Sequence, residues 1–495
     1  MDDNQPPDQP GPDAKPDDKR RFDPENLVRS VIAVPLLRSI EKAPAELHWV
    51  IIDLNLRHSE GLQGAKVTIY KLVEDAIREA GDTNPDQKVN RSKSDASQQY
   101  VYARLRGSII RRIVERDQRS PTRAIFHVWP DFIVSAQIWK SVATVKADAC
   151  RRAFATTGRG IVWAVLDSGI DGKHPHFDKH ANLRDLPAPV THIDFTADPP
   201  TLLDVPVDDY GHGTHVAGII AGELEATSPT PPIAIVRERD ETGKIAYLPN
   251  KTVGSVVALA PECKLVSFKV LDRTGQGPIS NVIAALDKIQ EINGFGREIV
   301  IHGVNLSVGY DFDAEWFGCG QSPVCVEVNR LVKSGVSVVI AAGNTGQGFA
   351  LTINDPGNAE EAITVGATHR DMPHTYGVSY FSSKGPTGDG RRKPDLLAPG
   401  ERIVSCGAGP DLNTYKTKAG LDGAGGAYYI ERSGTSQATP HVSGVIAGLL
   451  SVRAEFVGRP QEIKKLLMEN AIDLGRDSAA QGRGLVDMLR AIQAI

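Results

Sequence analysis

The chain has 495 residues, 41% hydrophobic and 24% charged, and its 56 Lys and Arg against 61 Asp and Glu give a formal net charge of −5. That is chain enough for about three domains of ~150 residues, or for two if one is a large α/β unit. A mildly acidic balance without Lys/Arg runs speaks against nucleic acid or anionic lipid as a partner, and apolar runs such as 161–166 and 442–450 fall short of the roughly 18 residues that cross a bilayer.

Residues 1–25 carry eight acidic and four basic side chains and six prolines. They offer too little apolar area to offset the entropy of ordering and read as a disordered tail. An acidic, proline-rich start lacks the basic and then apolar pattern of a secretory signal. The five cysteines, Cys150, Cys263, Cys319, Cys325 and Cys406, are too scattered for a disulfide framework. A cytoplasmic protein is expected, with Cys319 and Cys325 as a reduced pair.

Residues 26–140 read as a small α/β domain. A strand at 47–56 precedes a helix at 67–80, a polar loop at 82–99, a strand at 100–105, a helix at 108–115 and a strand at 123–128. Residues 141–157 read as a linker. Across 158–495, fully apolar runs of strand length recur at 161–166, 264–270, 299–306, 336–342 and 362–367, with helical stretches at 214–221, 280–292, 325–334 and 436–454. Strands buried on both faces and alternating with helices predict an α/β fold, a parallel sheet sandwiched between helices. A hairpin is expected at 233–248, turning at 241–243.

Three segments put a reactive side chain where a core strand ends or a helix begins, the edge at which open α/β sheets bind ligands. Asp167, in Val165-Leu166-Asp167-Ser168-Gly169, closes a core strand, where an Asp capping a turn would look the same. Gly211-His212-Gly213-Thr214-His215 opens a helix, and capping or a metal pair are the plain alternatives. Ser433-Gly434-Thr435-Ser436-Gln437 leads into an apolar helix whose N-terminal dipole favours negative charge developing nearby. A serine hydroxyl needs a base, and the base needs a carboxylate to hold its tautomer. Asp167, His212 and Ser436 supply these roles. Asn344, in Ala341-Ala342-Gly343-Asn344, puts a carboxamide beyond another core strand, where with the Ser436 backbone N–H it can receive an oxyanion.

The motifs DSG, GHGTHVAG, AAGN and GTSQATPHVSG, in this chain order, resemble the signature set of the subtilisin-like serine proteases over roughly residues 158–490. The resemblance implies Asp167 as orienting carboxylate, His212 as general base, Ser436 as nucleophile and Asn344 as oxyanion donor, with His215 structural. It also implies two edge segments, Gly275, Gln276 and Gly277 on one side and Ser307, Val308 and Gly309 on the other, pairing with an extended peptide by β-augmentation. Polypeptide substrates and no required cofactor are expected.

The chain departs from the family pattern in three places. Gln437 replaces the usual Met after the nucleophile, which makes the surroundings of the oxyanion more polar. His176 stands where secreted members carry a calcium-binding Asp, and the usual calcium loop gives way to the 233–248 insertion, so that calcium site looks lost while others stay open. His212 and Ser436 are also unusually far apart, which predicts extra surface loops at 226–256, 310–324 and 410–427. The cluster His174, His176, His180 and Asp178 lacks the spacing of a common zinc motif, and solvated loop histidines are the preferred reading. Family architecture suggests that 26–140 is a propeptide that keeps the enzyme latent. The rival is a permanent docking or regulatory domain, with a regulatory protein partner. Two other function classes stay open, a non-catalytic protein-binding scaffold and an esterase or acyltransferase on the same triad.

Overall fold

A computed structural model describes residues 31–131, 140–239, 244–250, 253–311, 319–348 and 350–495. The expected tail and the tip of the 233–248 hairpin lie outside these residues. The chain divides into two compact units, Met1–Val134 and Ser135–Ile495.

In the first unit the elements run α1 (Val34–Lys42), β1 (Leu47–Leu54), α2 (Gly61–Glu79), β2 (Lys88–Val89), α3 (Arg91–Ala96), β3 (Tyr100–Arg106), α4 (Gly107–Arg119) and β4 (Ile125–Pro130). The sheet order is β2-β3-β1-β4 with every pairing antiparallel. Strands β3 and β4 therefore run parallel to each other with β1 between them, a split βαβ. The stretch 82–99, expected as a loop, instead holds β2 and α3, and this excursion is what reverses the chain before β3. Helix α3 is capped by Asn90, whose side chain accepts from the Lys93 N–H. Ile69 and Val73 of α2 and Ile110 and Ile113 of α4 pack on Val50, Ile52, Val101 and Ala103, so both helices cover one face. The alternation along β1 and β4 leaves Trp49 and Trp129 exposed, with Ile51 opposite Trp129 in the register.

The second unit begins with α5 (Lys140–Thr144) and α6 (Ala147–Phe154). These occupy the stretch expected as a linker. Val142, Val145, Ala147 and Cys150 are buried in the main core, and the Val145 carbonyl accepts from the Met488 N–H, so the segment is part of the unit's packing. There follow β5 (Val162–Asp167), β6 (His192–Asp194), β7 (Thr201–Leu203), α7 (His212–Ile220), β8 (Glu223–Leu224), β9 (Pro232–Arg239), β10 (Ile245–Asn250), β11 (Val256–Val257), β12 (Lys264–Lys269), α8 (Ile279–Ile292) and β13 (Gly303–Leu306). Then come α9 (Pro323–Lys333), β14 (Ser337–Ala341), β15 (Ile363–His369), α10 (Pro373–Tyr376), β16 (Leu396–Glu401), β17 (Ile403–Cys406), α11 (Gly409–Lys418), β18 (Ala427–Arg432) and α12 (Thr435–Leu450), with short helices to the end.

The main sheet runs β16-β15-β14-β13-β5-β12-β6-β7 and is parallel except at the edge strand β7. Alternate residues of β5 serve different cores. Trp163 and Val165 pack with Val216 of α7 and Val442 and Val445 of α12, while Val162, Ala164 and Leu166 pack with Leu286 of α8 and Val328 of α9. Both faces are covered, which is why these strands are apolar throughout. The expected fold class is the observed one for this unit.

A second sheet, β10-β9-β18-β17, carries the expected hairpin, with Arg239 opposite Ile245, and continues it through a parallel β9–β18 pair. Much of the extra length is thus regular. Within 226–256 lie β9 and β10, and within 410–427 lies most of α11. All five cysteines are free thiols. Among the described residues no helix is long and apolar enough to cross a membrane.

Candidate active site

Asp167 is the last residue of β5 and is fully buried. Its carboxylate faces the ring of His212, the first residue of α7, with His212 Nδ1 at 2.8 Å from Oδ1 and 2.9 Å from Oδ2. This contact places a hydrogen on Nδ1, since a carboxylate only accepts, and leaves Nε2 as the ring's other nitrogen, on the side away from Asp167. The helix can approach the strand end this closely because Gly213 has no side chain. A Cβ there would fall 2.1 Å from the Gly169 carbonyl and 3.0 Å from the Asp167 Cβ. Gly169 itself sits at φ +109, and a Cβ would meet the Val207 carbonyl at 2.0 Å.

A residue that sequence reasoning missed holds α7 in place. Asp208, 8% exposed, accepts from the Gly211 N–H at 2.7 Å and the Ser168 hydroxyl at 2.9 Å through Oδ1, and from the Thr214 N–H at 2.9 Å and hydroxyl at 2.6 Å through Oδ2. It is the anion at the helix N-terminus, satisfying donors that the first turn leaves free. An Asp shortly before a helical run is a legible capping signal.

Ser436 is the second residue of α12, and the other fifteen residues of that helix are buried. The helix therefore exposes one hydroxyl into the cleft. Ser436 Oγ donates to the Ser307 carbonyl at 3.0 Å, and Ser307 Oγ donates to the Ser436 carbonyl at 2.9 Å. Asn344 lies just past β14. Its Oδ1 accepts from the Thr435 N–H at 2.8 Å and the Thr435 hydroxyl at 3.1 Å. With the carbonyl end anchored, its Nδ2 makes no protein hydrogen bond among the described residues and is a free donor. The Ser436 N–H lies in the first turn of α12, where an amide has no intrahelical acceptor.

His212, Asn344 and Ser436 line one cleft of about 600 Å3 together with Gly275, Gln276, Gly277, Ser307, Val308 and Gly309. The structure thus gathers every site residue expected from the sequence, Asp167 standing behind His212 rather than in the cleft wall.

The other histidines do not converge. His215 is buried and bonded through Nε2 to the Ile430 carbonyl, and burial holds its pKa well below the ordinary value, so it is neutral. His174 and His176 are buried rather than solvated, a correction to the sequence reading. They face the Tyr428 carbonyl and the Tyr429 hydroxyl, while His180 pairs with Glu223. Burial, with repulsion from His174 next, lowers the pKa of His176 to about 3. A neutral imidazole against a phenol does not suit calcium, which takes oxygen ligands. Among the described residues no group of three or more His, Cys, Asp or Glu is placed to hold a metal ion.

A family model described as the subtilase family matches residues 158–485. The chain is 31% identical to "Serine protease AprX" of Bacillus subtilis (strain 168), over 67% of this chain and 65% of that protein. It is 30% identical to an "Intracellular serine protease" of Paenibacillus polymyxa, over 67% and 80%, and 29% identical to "Subtilisin E" of Bacillus subtilis (strain 168), over 68% and 67%. The matched stretch spans just under two thirds of the AprX chain.

Proposed function

We propose that this chain, which belongs to the subtilase family, is a serine endopeptidase that hydrolyses peptide bonds through an acyl-enzyme on Ser436. The observation that carries the reading is the meeting of a carboxylate-held imidazole, one half-buried serine at a helix N-terminus and an anchored carboxamide in a single cleft.

Ser436 Oγ attacks the scissile carbonyl carbon and His212 Nε2 takes its proton. Asp167 steadies the imidazolium without taking a proton itself. The oxyanion lies between Asn344 Nδ2 and the Ser436 N–H, donors already in position, so little reorganisation is required. His212 then protonates the leaving amine, and a water deprotonated by the same imidazole releases the acyl group. In the free protein the Ser436 hydroxyl rests on the Ser307 carbonyl. An extended substrate pairing with segment 307–309 offers its own N–H to that carbonyl, freeing the hydroxyl to turn toward His212.

Latency imposed by the first unit is part of the proposal. Its support is a compact split βαβ of propeptide size with an open aromatic face, Trp49 and Trp129. Cytoplasmic location is likewise proposed, supported by the composition and by a relative named as intracellular. The test is fluorophosphonate labelling of the full chain followed by digestion of casein and of a small ester. Labelling at Ser436 with peptide turnover supports the endopeptidase, ester turnover alone supports the esterase, and absence of labelling supports the scaffold. Mass spectrometry of active material separates the roles of the first unit, since an intact chain excludes obligatory propeptide removal.

A further inference from the structure

His212, Asn344 and Ser436 also line a second cleft, of about 440 Å3, whose far wall comes from β9, β10, α11 and β18. This inference rests on the endopeptidase reading. A peptide bound for hydrolysis is continuous through the reacting carbonyl. If the acyl side lies along segments 275–277 and 307–309 in the first cleft, the leaving-group side departs through the second.

The chemistry of that wall is unbalanced. Asp411 is committed to Arg432, whose Nε lies 2.6 Å from Oδ2. Behind that wall Glu431, 1% exposed, is among the described residues the carboxylate shared by Arg402 at 3.3 Å and by Arg237 and Arg370, each at 3.7 Å. Of these three guanidinium groups only Arg237 lines the second cleft, and a single carboxylate divided among three leaves it incompletely neutralised. Lys418 has no ion pair among the described residues. Its Nζ sits 4.9 Å over the Tyr247 ring and 3.4 Å from the Tyr247 hydroxyl, and Tyr247 is braced edge-on by Tyr415 at 5.0 Å. Gln437 adds an independent observation: it is 2% exposed, lines this cleft, and its Nε2 donor has no protein partner among the described residues. A buried amide donor without an acceptor is costly unless something else supplies one.

We propose that this second cleft is a leaving-group subsite that selects a carboxylate in the first few residues after the scissile bond, with Arg237 and Lys418 as its cations and Gln437 as a neutral donor. The carboxylate can be an Asp or Glu side chain or the free C-terminus of a short peptide. Its cationic wall comes from β9 and α11, segments that the sequence marked as extra length, so the preference belongs to this chain's own insertions.

Acyl transfer reads this side of the channel alone. The full-length protein is acylated with a peptide ester, and tripeptide amides of the form Gly-Xaa-Gly compete with water as nucleophiles. Xaa is Glu, Gln or Lys, and the Gln peptide is also used as its free acid. The expected result is Glu over Gln by on the order of fivefold, the size of one partly sheltered charge pair, with Lys weakest and the ratio shrinking in high salt. In Lys418→Gln and Arg237→Gln the ratio should approach one, and in Lys418→Glu it should turn toward Lys. A gain only for the free-acid peptide assigns the subsite to a terminal carboxylate and still upholds it. Equal partition of all nucleophiles in an enzyme that turns over the ester would overturn the subsite and leave the endopeptidase reading standing. Failure of both ester turnover and fluorophosphonate labelling would overturn the two together.

Discussion

Ser307 and Ser436 exchange two hydrogen bonds, each hydroxyl donating to the other's carbonyl at 3.0 and 2.9 Å. The bond to the Ser436 carbonyl has a local cause. Pro440, four residues on in the same helix, has no N–H to return to it, and Ser307 supplies the missing donor. Replacing Ser307 by Ala leaves that carbonyl without a protein partner. The expected cost is about 1 to 2 kcal/mol, seen as a lower Tm, with a fall in kcat as the first turn of α12 loosens. An unchanged Tm would mean that water replaces the hydroxyl without loss.

Asn344 and Thr435 are expected to act as a unit. Asn344→Ala should reduce kcat by on the order of 10² to 10³ with a small change in KM, as loss of one oxyanion donor does. Thr435→Val keeps the backbone bond to Asn344 but removes both the 3.1 Å hydroxyl bond to its Oδ1 and the 3.2 Å bond from the Gly343 N–H. Its expected effect is a smaller fall in kcat, on the order of tenfold, at constant KM. Steady-state kinetics on one peptide decides both, and a pure KM effect would remove Asn344 from the oxyanion site.

Asp208→Ala should destabilise by about 2 to 3 kcal/mol, because it strips acceptors from the Thr214 and Gly211 amides and from two buried hydroxyls. Activity should fall further than stability requires, since α7 carries His212. Urea unfolding alongside kcat at a temperature where the variant is folded tests this. Full activity in the folded variant would show that Asp167 alone positions the ring.

Acid should destabilise the protein through its buried histidines. Burial lowers the pKa of His441 to about 4 and that of His176 to about 3, and holds His215 well down. Unfolded histidines titrate near 6.5. Between 6.5 and those lower values the unfolded chain binds protons that the folded chain refuses, so stability rises with pH. The contributions of His441 and His176 are complete above pH 6.5 and are lost as pH falls toward 4 and 3 respectively, at ~1.4 kcal/mol per pH unit, and that of His215 is lost in the same direction. His441→Gln should flatten the dependence of unfolding free energy on pH between 6.5 and 5 by about one proton. An identical slope in the variant contradicts the assignment.

Much of this was legible in the sequence for stated reasons. A strand covered on both faces is apolar at every position, so 161–166 and 336–342 could be read as core strands of a parallel sheet before any partner was known. Asp167, His212, Asn344 and Ser436 could be picked out because each sits at an element's end. In the first unit the alternation of β3 was readable, but α3 was not, although its cap, Asn90, was there as a signal. Residues 141–157 looked like a linker because α5 and α6 are too short to show a helical period, and it is burial in the main core that makes them structure.

Side-chain periodicity is local and names elements, faces and reactive groups. Which groups touch depends on how elements far apart in the chain pack. Ser307 and Ser436, 129 positions apart, meet only because β13 and α12 are brought together at one end of the sheet. The same holds for the second cleft, which Arg237 of β9 and Lys418 of α11 line together with Ser436. The sequence by itself determined the candidate site residues and the fold class. The tertiary structure decided their partners, the capping role of Asp208 and the charge of the leaving-group wall, because pairings across such distances leave no period in the chain.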